Sequence, residues 1–185
     1  MFKRFNTKEL VFLAFMSAFL IALNLVIGTA AATFSLEAGE FIGGITNAIV
    51  LTFVALTLNR FGAISIFYLI YSLLALPFPL GGGPPGFMLK IPLLVIPIIF
   101  FDLILYLTKF KKLGFVVGWP ISIFALAVVH LLIFYLLGMP EFDKLLKALP
   151  ILIIGLIVLG YIGIWIGFKI YNRVKDKRII QQISQ

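Results

Sequence analysis

The chain has 185 residues, of which 63% are hydrophobic and 12% charged, and its mean hydropathy is +1.20. That balance excludes a soluble globular domain, and the lack of cysteine excludes disulfides, a thiolate metal site and a thiol nucleophile. A net charge of +8 would suit nucleic acid, but in so apolar a chain the bias of Lys and Arg toward cytoplasmic loops explains it better, and no nucleic-acid partner is expected.

A run of about 20 apolar residues crosses a bilayer, and this sequence is mostly such runs. A short basic segment with Lys3, Arg4 and Lys8 leads into a first span over 9–33, long enough to read as a retained span and not a signal peptide. Its end, 28–33, is made of small residues and is expected to fray or bend. The stretch 34–44 reads as a loop or partial helix carrying Glu37 and Glu40. A second span over 41–58 closes at Asn59 and Arg60, and a third over 62–76 ends at Pro77 and Pro79. Glycine and proline then fill 81–86, a density that no helix continues through. The fourth span, 88–108, contains Pro92 and Pro97, with Asp102 deep inside it. After a basic turn (Lys109, Lys111, Lys112), the fifth span, 114–137, carries Pro120 and the only histidine, His130. Pro140 and Pro150 bracket a short amphipathic piece. The sixth span, 151–171, is punctuated by Gly155, Gly160, Gly163 and Gly167, and a basic tail follows.

Six spans put the two termini on one side, and the basic residues say which. Lys3, Arg4, Lys8, Arg60, Lys109, Lys111, Lys112, Lys169, Arg173, Lys175, Lys177 and Arg178 fall on the side of the termini, against Lys90, Lys144 and Lys147 on the other. The expectation is an all-α integral membrane protein of the cell membrane, one transmembrane domain over 1–185, with both termini cytoplasmic.

Catalytic signatures are missing: there is no HExxH, GxSxG or Walker lysine loop, and no enzyme, cofactor or metal site is expected in the chain. Asp102 and His130 are the ionisable pair well inside the spans. At ~1.5 Å per residue they lie about 20 Å and 12 Å below the outer ends of their spans, a poor match for a direct pair. A carboxylate in a membrane is a functional candidate by default. Its alternative is structural, as an ion-pair or capping group, with Lys109 two turns on and Arg60 on the same side. His130, in the outer half, suits either a ligand pocket or a hydrogen bond to a neighbouring helix. Asn24 and Asn47 are amides inside the first two spans, and Asn47 shares a helical face with Glu40. Outside, the apolar loop with Gly83 and Pro85, then Lys90, has backbone groups that need partners, supplied by a bound molecule or by the loop itself. Glu37 and Glu40 could face a cationic ligand, and Lys90 could present a cation or snorkel to headgroups.

The first span carries Ala14, Ala18 and Ala22 at a step of four, which keeps them near one helical face. Such a stripe lets a second helix approach closely. Asn24 lies about 120° round the helix from it, so the amide can face inward while the alanines face out.

With its length, six spans and near absence of soluble parts, the chain resembles the substrate-binding S component of energy-coupling-factor (ECF) vitamin transporters. The resemblance covers nearly the whole chain. Its most specific element is the AxxxA pair Ala14 and Ala18, extended by Ala22, and the Gly-Pro loop followed by Lys90 and Asp102 is similar to the third loop and fourth span of some members. It implies an S-component-like bundle with a loop-capped outer pocket, and an alanine face docked on a transmembrane T component coupled to two ABC ATPases, which bind the ATP. It implies capture of a vitamin or precursor at the outer face and delivery by toppling of the subunit in the bilayer. Glu37, Glu40, Asn47, Gly83, Pro85, Lys90 and His130 are the expected substrate contacts, and a thiamin-precursor-like heterocycle is the expected ligand. The alternatives are an ion- or proton-coupled secondary transporter using Asp102, although no internal repeat is visible, an intramembrane enzyme using Asp102 and His130, and an assembly subunit with no ligand.

Overall fold

The first helix, α1 (Thr7–Leu23), starts on a capping box. Asn6 Oδ1 accepts from the Glu9 amide at 2.8 Å, and Glu9 Oε2 accepts from the Asn6 amide at 2.7 Å. Two of the donors that every helix leaves open at its start are thereby satisfied. The helix then runs into a π-helical turn, Asn24–Gly28. It is followed by α2 (Leu36–Leu58), α3 (Ala63–Leu74), α4 (Lys90–Leu107), α5 (Lys112–Leu136), α6 (Phe142–Val174) and a short α7 (Arg178–Ile183). The computed structural model describes residues 5–28, 30, 36–80, 84–138 and 142–183, and no strand occurs among them.

Among the described residues five helices are long and apolar enough to cross a membrane, and α3 is a shorter apolar helix of 12 residues. Large side chains such as Phe15, Ile99, Phe124, Val128, Ile154 and Val158 are exposed on their outer faces, where acyl chains would be their solvent. The chain is a multi-pass helical membrane bundle.

The helices form a ring. α1 packs on α3, α3 on α4, α4 on α5, α5 on α6, α6 on α2, and α2 closes on α1. Phe53, near the end of α2, meets Phe12 of α1 and Tyr171 of α6, so the start of α1 and the end of α6 share one end of the bundle. With Arg60, Lys109, Lys111, Lys112, Lys169 and Arg173 around it, this is the basic end. The other is the loop end, where α3 gives way to the Gly-Pro loop.

Glycines decide how closely α6 sits on its neighbours. A Cβ added at Gly163 would lie 2.6 Å from the Ile45 carbonyl oxygen, and one at Gly167 would lie 2.9 Å from that of Ile49. Backbone against backbone at that range needs residues with no side chain. The indole of Trp119, on α5, occupies the notch at Gly160 and donates to the Leu156 carbonyl at 3.1 Å.

The stretch before the second span, expected as a loop or partial helix, is helical from Leu36. Two expectations change here. The third span, expected over 62–76, is a helix of only 12 residues, Ala63–Leu74. The piece between Pro140 and Pro150 is not separate: from Phe142 it is continuous with the last span as a helix of 33 residues. Pro150 removes one helical hydrogen bond without ending the helix, because its neighbours keep theirs. Pro92 falls in the first turn of α4, where its missing N–H has no helical partner to lose.

Replacing Gly163 by alanine should therefore lower the unfolding free energy in detergent by about 1–3 kcal/mol, the range for overpacking a tight contact. Gly43→Ala, whose new methyl meets nothing within 4 Å, should leave it unchanged or slightly raised.

Candidate functional site

At the basic end, Asp102 is completely buried on α4, and its partners are the start of α3. Oδ2 accepts from the Gly62 amide at 2.9 Å, the Ser65 amide at 3.2 Å and the Ser65 hydroxyl at 2.8 Å. α3 begins on Gly62, at φ 87°, with no side chain of its own to cap it. A carboxylate from the neighbouring helix supplies both the missing acceptor and a negative charge at the positive end of the helix dipole. The partners considered from sequence are engaged elsewhere or exposed. Arg60 binds both oxygens of Glu9 at 2.9 Å and lies 4.1 Å over the Phe5 ring, while Lys109 is exposed at a tight turn with φ 52°. His130 is not among the partners of Asp102; its ring tilts against Phe134 at 6.1 Å.

Toward the loop end, a chain of polar groups crosses the bundle. Asn24, in the π-helical turn and 6% exposed, donates to the Tyr71 hydroxyl at 3.0 Å. Tyr71 packs against Tyr68 at 5.6 Å between ring centres, and Tyr68 donates to Asn47 Oδ1 at 3.2 Å. Asn47 Nδ2 donates in turn to the Gly43 carbonyl at 2.7 Å. Three helices, α1, α3 and α2, are thereby joined. Asn24 Oδ1 is buried with no partner among the described residues.

Above this chain α3 ends in turns over 75–79. The Gly86 amide donates back to the Leu76 carbonyl at 2.7 Å, and Phe78 and Leu80 pack on the core. Lys90 opens α4 directly after the loop. It is completely buried, and its ammonium donates to the Phe78 carbonyl at 2.5 Å.

Of the expected substrate contacts, the structure thus brings Asn47 into the bundle beside Tyr68 and buries Lys90 against the loop. His130 is half-buried in the loop-end half of α5, and Pro85 is exposed in the loop. The side chains of Glu37 and Glu40, and all of Gly83, lie outside the described residues. Ala14, Ala18 and Ala22 are all exposed, in a strip flanked by Val11, Phe15 and Phe19, while Leu13, Ser17, Leu20 and Asn24 face the core. Sequence reasoning missed Tyr68, Tyr71 and Ser65. The signal for Ser65 was present: Gly62 starts a helix with no capping side chain of its own, so a cap must come from elsewhere.

Among the described residues no three His, Asp or Glu side chains gather to hold a metal ion. The site as described offers one cation, amides and phenols: groups that bind and orient a small molecule. No protein-family model, curated protein or solved structure matches the chain.

Asp102→Ala should destabilise the bundle by about 2–4 kcal/mol, the cost of a lost cap plus buried unsatisfied donors. Asp102→Asn, which keeps an acceptor, should cost less, and Lys109→Ala nothing measurable. Unfolding in mixed detergent micelles reads all three.

Proposed function

We propose that the chain is the membrane-embedded substrate-binding subunit of an ECF-type importer. It sits in the cell membrane with its basic end in the cytoplasm and takes a vitamin or vitamin precursor at the loop end. The observation that carries this reading is the unfilled small-residue face of α1. Small-residue faces elsewhere in the bundle are filled: those of Gly163 and Gly167 hold α2, and that of Gly118 holds Phe101. Among the described residues no helix covers the Ala14, Ala18 and Ala22 strip, although the opposite side of α1 is buried. A face shaped for a helix and lacking one suits an external helix, here that of a T component joined to two ABC ATPases.

The loop end supports the other half of the reading. It gathers a cation, amides and phenols, groups suited to binding a small molecule. Delivery then proceeds by toppling of the subunit against its partners, with the ATP bound and hydrolysed in those partners. Ion coupling through Asp102 is the weaker alternative, because Oδ2 already accepts three hydrogen bonds from the start of α3, and only Oδ1, buried without a partner among the described residues, is left to it.

Ala14→Trp and Ala18→Trp, each placed on the exposed strip, should leave the purified subunit as stable as wild type while abolishing its assembly with a T component and ATPases. Co-purification measures assembly, and normal assembly by both variants would remove the reading's main support.

A further inference from the structure

Lys90 carries more hydrogen-bonding capacity than its surroundings use. Its side chain has 0% exposure and, among the described residues, makes a single hydrogen bond, to the neutral Phe78 carbonyl. An ammonium has three N–H donors, so two have no acceptor among the described residues. Burying a charge is costly unless it is paired and fully hydrogen-bonded, and one carbonyl does not meet that requirement. The described carboxylates are no help. Asp102 lies 12 residues along α4, about 18 Å away, and is held by α3; Glu9 is held by Arg60. Among the described residues the loop-end half of the bundle presents neutral or basic polar groups, the phenols of Tyr68 and Tyr71, the amides of Asn24 and Asn47, and His130, while the side chains of Glu37, Glu40 and Asp143 and all of Glu141 lie outside the described residues.

We infer that Lys90 is the counter-ion for the acidic group of the transported molecule, so the substrate is a small carboxylate rather than a cationic heterocycle. This rests on the importer reading above and specifies its substrate class. The carboxylate takes the two open N–H groups of Lys90, and the neutral remainder of the molecule lies toward the tyrosines and amides. The bond so formed is charge-assisted and gives the ammonium the acceptors it lacks among the described residues.

The test uses the purified full chain in detergent, with wild type, Lys90→Met and Lys90→Arg each immobilised. The probe is the low-molecular-mass fraction of yeast extract, separated by ion exchange into anionic and non-anionic pools, and retained compounds are identified by mass spectrometry. The expected result is that wild type retains carboxylates, that Lys90→Met loses them by at least about tenfold, and that Lys90→Arg keeps part of the binding. Retention of only neutral or cationic compounds, or equal retention of carboxylates by Lys90→Met, overturns the substrate class and leaves the importer reading standing. Retention of nothing by wild type from either pool overturns both. A ligand-free melting curve guards against an internal partner. Lys90→Met should melt at or above wild type, since an apolar side chain replaces an uncompensated charge. A marked drop, matched by Glu37→Gln or Glu40→Gln, would mean that the ammonium pairs within the chain and would overturn the inference.

Discussion

The third helix is too short to cross a membrane. Its 12 residues reach about 18 Å, against about 30 Å of hydrocarbon. An open backbone group at either end that lies within the apolar slab would cost several kcal/mol. Much of the polar chemistry in the bundle answers that constraint. Asp102 closes the α3 N-terminus from a neighbouring helix, and Ser65 adds a hydroxyl to the same carboxylate. Arg60, in the connection just before α3, is neutralised by Glu9. At the far end, consecutive turns and the bond from Gly86 back to Leu76 continue the work of the helix without its geometry. Lys90 belongs to this second closure, but it brings a charge where one neutral donor would suffice.

Small residues serve two opposite ends in this molecule. On α6 they let α2 approach until a methyl group would collide with its carbonyls, and on α5 Gly114 and Gly118 admit Thr108 and Phe101. On α1 the same residue class at the same helical spacing is turned outward. Periodicity alone does not separate these cases, since both stripes repeat every three or four residues. What separates them is the opposite face of each helix. α1 buries Leu13, Ser17, Leu20 and Asn24 toward the core, and Ser17 donates to the Phe67 carbonyl of α3 at 3.0 Å. That inner contact commits the alanines to the outside.

The spans were legible in the sequence because hydropathy over 20 residues is a strong signal, and the loops between them are marked by glycine, proline and charge. Asn24 could be placed inward by counting residues round the helix from Ala14. Helix ends were harder. Pro150 reads as a terminator, yet it sits within α6, because one lost hydrogen bond does not outweigh those of the surrounding turns. In the candidate site, Lys90 and Asn47 stood out as polar residues in apolar runs, whereas Tyr68 and Tyr71 did not, since tyrosine is at home in both lipid and core. Partners were the least legible part. Lys109 lies seven residues after Asp102 and in the sequence looks like its counter-ion, but α4 ends at Leu107 before reaching it, and the carboxylate turns to Gly62 and Ser65, whose proximity depends on how α3 meets α4. Such facts belong to packing, and one sequence does not carry them.

The ring order places α3 diametrically across from α6, the helix of 33 residues. The perimeter that meets the lipid is therefore uneven in height, low beside Leu69, Leu73 and Leu74 on α3 and tall beside Ile151, Ile154 and Val158 on α6. Hydrophobic mismatch of this kind is relieved by local thinning of the bilayer and by tilt. In a bilayer the two would act on opposite sides of the bundle, so the lengths of two helices, 12 and 33 residues, would set the direction in which it leans.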